Sequence, residues 1–156
     1  MGAYRFTAPA VHLINMKKKK PITIGKLKKK IETEAKRIAK ERDGYICQKC
    51  KKKVSGSSAH GSHVIPVSRS QLLRFDPWNI KCLCYGCHFQ YWHLNPTESG
   101  IWFRETFRDR FEYLDRLKNE KKHWKRFELE ALYEELKQID GRSQRLADPR
   151  DSYKRK

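Results

Sequence analysis

Two pairs of cysteines constrain the fold of this chain more than any other feature of its sequence. Cys47 and Cys50 are separated by two residues, and so are Cys84 and Cys87. In a reducing compartment, C-x-x-C pairs indicate a metal site before disulfides. Four thiolates are the ligand set of a closed, tetrahedral structural zinc site, so we predict that zinc joins the two pairs. The fifth cysteine, Cys82, is expected to be a small buried apolar residue.

The charge balance indicates a polyanionic partner. The 156 residues include 36 Lys and Arg against 18 Asp and Glu, which gives a formal net charge of +18. Nucleic acid is the usual partner of such a chain. The seven Phe, seven Tyr and four Trp argue against a wholly disordered protein. No run approaches the roughly 18 apolar residues of a membrane span, and we expect a cytoplasmic protein that binds no membrane.

The composition changes along the chain and divides it into three parts. Residues 1–25 form a basic arm whose Lys17–Lys20 run is typical of a disordered tail, a phosphate-binding arm or a localisation signal. Residues 26–140 carry regular hydrophobic periods and are predicted to form one domain. Residues 141–156 are predicted to be a polar tail.

Both helical and strand periods occur within the predicted domain, so the fold class is α+β. The predicted elements are a helix over 26–42, strands at 59–67 and 81–83, a helix over 88–94, a helix from Asn95 through Leu117, and a helix from Trp124 to Ile139. The large aromatic residues are expected to pack in the core rather than to stack on bases; these are Trp78, Tyr91, Trp92, Trp102, Phe103, Phe107 and Phe111.

Four histidines lie within or just after the segment that the cysteine pairs would close. His60 and His63 precede the second pair, His88 directly follows it, and His93 is five residues further on. Histidine is the commonest general base and a common metal ligand. A strand, a loop and a helix joined by zinc would bring His63, Asn79 and His88 close together.

This order of residues resembles the HNH nucleases, also called His-Me finger or ββα-metal nucleases. The segments that carry the resemblance are residues 62–66 around His63, 77–80 around Asn79, and 83–88 ending in His88. Within the family, the chain is most similar to phage recombination endonucleases of the NinG/Rap type. These share an Arg-Asp element before the first cysteine pair, here Arg42-Asp43, and an Arg-Phe-Asp-x-x-Asn loop, here residues 74–79.

The resemblance implies a zinc-stapled ββα-metal core with flanking helices, mostly helical outside that core. His63 and Asn79 would be the catalytic residues: His63 as the general base that activates a water, and Asn79 as the residue that holds the loop around it. His88 would bind a single divalent ion that neutralises charge on the phosphate. Mg²⁺ is the expected ion, with Mn²⁺ or another divalent ion as alternatives.

The second ligand of that ion is left open by the sequence. Many HNH enzymes have an acidic ligand before the base, but this chain has Ser62, and a hydroxyl is a poor ligand. His60 lies on the same face of an extended strand as Ser62 and is one candidate. His93 is the other, although an ideal α-helix rotates it about 140° from His88. Those two would converge only if the helix ended before His93.

Basic residues near the motif are candidate DNA contacts. Arg69 and Arg74 flank the loop, and a guanidinium suits phosphate. Lys28, Lys29 and Lys36 lie on the first predicted helix and would follow the DNA backbone without reading its sequence. The alternative for the two arginines is that they are solubilising surface charges.

The sequence therefore predicts a metal-dependent endonuclease that cuts phosphodiester bonds in DNA. The resemblance implies a phage or prophage setting and a branched or recombination-intermediate substrate, which a resolvase would cut as a two-fold homodimer. One alternative is a nonspecific or site-specific HNH nuclease of the homing or packaging kind. The other is a catalytically inactive, zinc-dependent DNA-binding protein.

Overall fold

The structure, a computed structural model, describes residues 21–145. The Lys17–Lys20 run of the basic arm and residues 146–156 of the polar tail lie outside the described residues. The elements in chain order are α1 (Ile24–Arg42), β1 (His60–His63), β2 (Ile80–Leu83), a π-helix (Cys87–His93), α2 (Pro96–Thr106), α3 (Arg108–Leu117) and α4 (Arg126–Gln138). This is the α+β class expected, and helices dominate outside the small sheet.

Helix α1 is the scaffold on which the other elements pack. The Thr23 hydroxyl accepts a hydrogen bond from the Lys26 amide at 3.3 Å and caps the first turn. The apolar stripe of α1 is fully buried and consists of Leu27, Ile31, Ala35, Ile38 and Ala39. It packs against Phe75, Ile80 and the apolar face of α4 in one cluster. The main hydrophobic core therefore lies between α1, α4 and the start of β2.

The two strands form an antiparallel pair, with His60 opposite Leu83 and His63 opposite Ile80. Both strands have four residues, so the first is shorter than the 59–67 predicted. The pairing continues for one bond, from the Val64 amide to the Asn79 carbonyl oxygen at 2.7 Å. Pro66 then offers no amide to a partner strand, and the chain leaves the sheet as a loop.

Two buried arginines anchor the segment that leads into β2. Arg42 of α1 donates to the carbonyl oxygens of Pro77 and Ile80, each at 2.7 Å. Arg110 of α3 donates to the carbonyls of Trp78 and Ile80, the latter at 2.6 Å. Buried charges persist in proteins when they are hydrogen-bonded. These two side chains tie α1 and α3 to the start of β2 and so fix the position of that strand.

The single helix predicted from Asn95 through Leu117 is wrong, because it is two helices that meet at Phe107. That residue has a non-helical backbone (φ −130°, ψ 57°) and separates α2 from α3. Its ring packs on Phe103, with ring centroids 5.2 Å apart, and on Trp102 at 5.8 Å. Neither Pro nor Gly marks the break, so the local sequence carried no signal for it.

The segment after α4 returns to α1 at Gly141. A Cβ at this glycine would lie 2.4 Å from the Ile38 carbonyl oxygen, so a larger residue would force the segment away. The Gly141 amide donates to the Glu41 carboxylate at 3.1 Å. Gly141 thus begins a short 3₁₀ segment, Gly141–Arg145, which packs on α1.

None of the helices within residues 21–145 is both long enough and apolar enough to cross a membrane.

Candidate active site

The four paired cysteines come together at one end of the sheet. Their Sγ atoms all lie within 4.8 Å of one another, and the sulfurs of Cys50 and Cys84 are 3.7 Å apart. Four thiolates at the usual zinc–sulfur distance lie about 3.8 Å apart in a tetrahedron. The arrangement and the donor set therefore fit the predicted structural zinc, held by Cys47, Cys50, Cys84 and Cys87.

The thiol pKa values distinguish a cysteine of this cluster, Cys47, from the fifth cysteine, Cys82. Burial opposes ionisation of Cys47, but backbone amides of the two knuckles outweigh it and lower the pKa of that thiol to about 7. Burial, with Asp43 nearby, raises the pKa of the Cys82 thiol to about 12. Cys82 is fully buried against Val54 and Ala59, as expected for a small apolar residue.

His63 lies at the end of β1 and is held by the backbone of the following loop. Its Nε2 is 2.9 Å from the Arg74 carbonyl oxygen. A carbonyl only accepts, so Nε2 carries the proton and Nδ1 of the neutral ring has a free lone pair. Burial lowers the pKa of His63, which keeps the ring neutral near pH 7. This is the protonation state that a general base requires.

Helix α1 brings charged groups close to His63. A Cβ at Gly61 would lie 2.8 Å from Cγ of Lys36, so the glycine permits the close approach of α1 to β1. Lys36 lowers the pKa of His63 further, and Glu32 opposes it. Glu32 in turn binds the guanidinium of Arg74 at 3.0 Å and the ammonium of Lys36 at 2.7 Å.

Asn79 is fully buried and holds the loop that carries the Arg74 carbonyl. Its Oδ1 accepts from the Ile65 amide at 2.7 Å, and its Nδ2 donates to the carbonyls of Ile65 and Leu73 at 2.9 Å each. All these contacts are with the backbone on either side of the loop. Asn79 is therefore placed to position His63 through the loop rather than to contact a substrate.

The other three histidines form a chain of ring contacts beside the sheet. Nδ1 of His60 lies 3.2 Å from Nδ1 of His88, and Nε2 of His88 lies 3.1 Å from Nε2 of His93. Two nitrogens bound to one metal at about 2.0–2.1 Å would be separated by a similar distance. Either pair has the spacing of two ligands of one ion.

The contact between His88 and His93 depends on a π-helix. In an α-helix these residues would point in different directions. Residues 87–93 instead form a π-helix, whose i→i+5 pattern places residues five apart above one another. The two rings meet without the helix ending before His93.

The three histidines do not face a single point. His88 presents Nδ1 to His60 and Nε2 to His93, so one ion would contact one pair or the other. Burial, with His93 and His60 adding to it, lowers the pKa of His88 to about 4. An unprotonated imidazole is the form that binds metal. Ser62 is 2% exposed and its Oγ has no hydrogen-bond partner among the described residues, so it makes no hydrogen bond to these histidines.

The five candidate DNA contacts differ in their partners. Arg74 and Lys36 share Glu32, while Arg69 donates to the Asn119 side chain at 3.1 Å. Lys28 is half-buried and Lys29 is exposed on the outer face of α1.

Two features near the histidines go beyond what the sequence predicts. Lys81 is fully buried, with its Nζ over the Trp92 ring and 3.5 Å from the His63 carbonyl oxygen. Burial lowers its pKa well below the usual range. Tyr85 and Phe89 are the exposed aromatic residues beside the histidines, whereas Trp78, Trp92 and Trp102 pack against the apolar cluster as expected. No spacing signals a buried lysine in a strand, whereas the position of Tyr85 and Phe89 among the second cysteine pair and His88 is a signal in the sequence.

A comparison with known protein families identifies the segment that contains the cysteine cluster and His63. Residues 47–91 match the family model for HNH endonucleases. The match begins at the first zinc cysteine and ends inside the π-helix, so it includes His60, His63, Asn79 and His88. No curated protein and no solved structure matches the chain.

Proposed function

We propose that this protein is a metal-dependent HNH endonuclease that hydrolyses phosphodiester bonds in DNA, with residues 26–140 as the nuclease domain and its flanking helices. The observation that carries the proposal is the hydrogen bond from His63 Nε2 to the Arg74 carbonyl oxygen. It leaves Nδ1 free to accept a proton, within a segment that matches the HNH endonuclease model.

In this proposal His63 accepts a proton from water at Nδ1 while Nε2–H stays bound to the loop. The burial that lowers its pKa keeps Nδ1 available near neutral pH. Asn79 acts as a positioning residue, because its three hydrogen bonds set the loop that orients His63. General-base catalysis of this kind typically contributes about 10²–10⁴-fold to a rate.

The chain also offers ligands for the catalytic divalent ion. His88 would hold it together with His60 or His93, since both pairs have ligand spacing. Mg²⁺ is the ion we propose first and Mn²⁺ is an alternative, although imidazole nitrogens suit Zn²⁺ better than either. When bound, a divalent ion supplies neutralisation of the charge that develops on the phosphate.

We further propose a branched or recombination-intermediate substrate in a phage or prophage, in the host cytoplasm. The support is the resemblance of the Arg42-Asp43 element and the Arg74–Asn79 loop to NinG/Rap-type endonucleases. A four-way junction has two-fold symmetry, so symmetrical cutting of two strands calls for a homodimer.

A second candidate is a DNA-binding protein without nuclease activity. The observation that favours it is the site itself: Ser62 replaces an acidic ligand and is buried, and the three histidines do not face one point. The zinc cluster and the basic surface would be sufficient for binding alone.

The test is a cleavage assay on a labelled four-way junction and a linear duplex of matched sequence, with Mg²⁺, Mn²⁺ or EDTA. The variants are His63→Ala and His88→Ala, with His123→Ala as a control because His123 is exposed and outside the site. We expect metal-dependent cutting by the wild type and by His123→Ala, and a loss of at least about 10²-fold in His63→Ala.

The outcomes separate the candidates. A junction preference supports the branched-DNA proposal, whereas equal rates on both substrates support a nonspecific nuclease. Binding without cutting under any metal would overturn the nuclease proposal and leave the DNA-binding protein.

A further inference from the structure

We propose that Tyr85 and Phe89 form a stacking platform for an unpaired nucleobase next to the phosphate that is cut. This inference rests on the proposed nuclease function, because it assigns the substrate's neighbouring base to a surface beside the same histidines. It specifies the substrate: DNA that exposes a base face at the site is bound in preference to fully paired DNA.

The two rings are exposed where a core aromatic would be buried. Tyr85 is 61% exposed and Phe89 is 41% exposed. Their ring centroids are 4.8 Å apart, so they form one continuous aromatic surface. Exposed aromatic rings of this size that contact each other mark an interaction surface more often than single scattered residues do.

The platform touches the candidate metal ligands directly. The Phe89 centroid lies 4.5 Å from that of His88 and 5.6 Å from that of His60. Tyr85 lies 5.9 Å from His60. A phosphate held at these histidines therefore places the base of the adjoining nucleotide within reach of the two rings.

Both platform residues lie next to the cysteine cluster, where bound zinc would hold the backbone in place. Tyr85 lies between two cysteines of the zinc cluster, and Phe89 is two residues after Cys87. Rings fixed in this way lose little conformational entropy when a base stacks on them. The net charge of +18 supplies attraction for the polyanion, while the rings supply contact that does not depend on charge.

The occupant is an unpaired base rather than a duplex. Inside a duplex, neighbouring bases cover both faces of each base, and the exposed outer surface is charged backbone. Proteins that bind single strands use aromatic side chains as sequence-tolerant stacking surfaces. Loops, flaps and junction points expose such faces.

The experiment measures binding to a duplex with one unpaired 2-aminopurine and to the same duplex fully paired. The protein is the full zinc-loaded chain carrying His63→Ala, so that the DNA stays intact. Into it are introduced Tyr85→Ala, Phe89→Ala and the conservative Tyr85→Phe. Phe127→Ala serves as the matched control, because Phe127 is 66% exposed on α4 and away from the histidines.

We expect the unpaired 2-aminopurine to be quenched on binding. Tyr85→Ala and Phe89→Ala should each reduce this quenching and weaken binding of the bulged DNA by about 5- to 100-fold. Binding of the paired duplex should change less than twofold, and Tyr85→Phe and Phe127→Ala should behave as the parent. Zinc content and melting temperature, measured on each variant, identify any loss of fold.

Two results would overturn the platform: unchanged quenching in the alanine variants, or an equal loss of binding for bulged and paired DNA in well-folded variants. Cleavage by the protein with His63 intact is measured separately on the same DNAs. Quenching that depends on Tyr85 without any cleavage supports the platform and refutes the nuclease, while cleavage that ignores both rings supports the nuclease and refutes the platform.

Discussion

Asn79 and Ile65 are hydrogen-bonded to each other in both directions. The Ile65 amide donates to Oδ1 of Asn79 at 2.7 Å, and Nδ2 of Asn79 donates to the Ile65 carbonyl at 2.9 Å. The third bond, to the Leu73 carbonyl at 2.9 Å, closes the other side of the loop. One side chain thus joins both ends of the loop to β2, and the loop in turn holds His63.

Replacing Asn79 should therefore reduce both stability and cleavage. Asn79→Ala leaves the amide and the carbonyl of Ile65 without partners and removes one of the two donors to the Leu73 carbonyl, and we expect a loss of about 3 kcal/mol in the free energy of unfolding. Urea denaturation measures this loss. The matched control is Asn119→Ala on the surface, where we expect less than about 0.5 kcal/mol. Equal effects of the two changes would contradict the positioning role of Asn79.

The cleavage rate should fall in acid with a midpoint below pH 6.5. In the proposed mechanism the base is the neutral form of His63, and burial lowers the pKa of this residue, so activity is expected to be lost only when the pH falls through that lowered value. The groups that face His63 are Lys36 and Glu32 on α1, Lys81 on β2 and the Arg74 carbonyl. The measurement is kcat/KM against pH at fixed ionic strength.

Two variants should shift the acid limb of this pH profile in opposite directions. Lys36→Gln removes a positive charge that lowers the pKa of His63, so the acid limb should move to higher pH. Glu32→Gln removes a negative charge that raises it, so the limb should move to lower pH. Shifts in the same direction would show that another group titrates.

Zinc removal should unfold the core. Metal binding is coupled to folding in small sites of this kind, so Cys84→Ser and chelation should both remove one zinc per chain and abolish the cooperative melt. Metal analysis and thermal melting measure this. Cys82→Ala is the control, since Cys82 is buried outside the four-sulfur cluster and should keep its zinc. A chelated protein that melts like the wild type would exclude the structural zinc.

DNA affinity should decrease steeply with salt, because lysines and arginines release counterions from the phosphates. Lys29→Gln should weaken binding equally for all sequences and reduce the slope of log K against log salt by about 0.9. Lys137→Gln, on the exposed end of α4, should leave the slope unchanged. If both variants have the parent slope, the outer face of α1 does not bind DNA.

Much of the framework could be predicted because it is encoded locally. The spacing of four cysteines predicted their cluster, and the hydrophobic period over residues 26–42 predicted helix α1, whose apolar stripe is buried. Both are patterns within a few residues of sequence.

The rest depended on contacts between distant residues. The break at Phe107 is accompanied by packing on Trp102 and Phe103, and it has no Pro or Gly signal. The burial of Lys81 requires the Trp92 ring to cover its ammonium, which no sequence period shows. Arg74 could be predicted near the site, but its ion pair with Glu32 arises only when α1 packs against the loop.

The π-helix also determines how many residues can separate His88 and His93 in the sequence. Residues one turn apart are five apart in a π-helix and four apart in an α-helix. Deleting Gln90, an exposed residue between the two histidines, would shorten their separation from five to four. The shortened segment could then be an ordinary α-helix and keep both imidazoles on one side. On this geometry, a His-x-x-x-His spacing on an α-helix would present the same pair of imidazoles as the His-x-x-x-x-His spacing does on the π-helix.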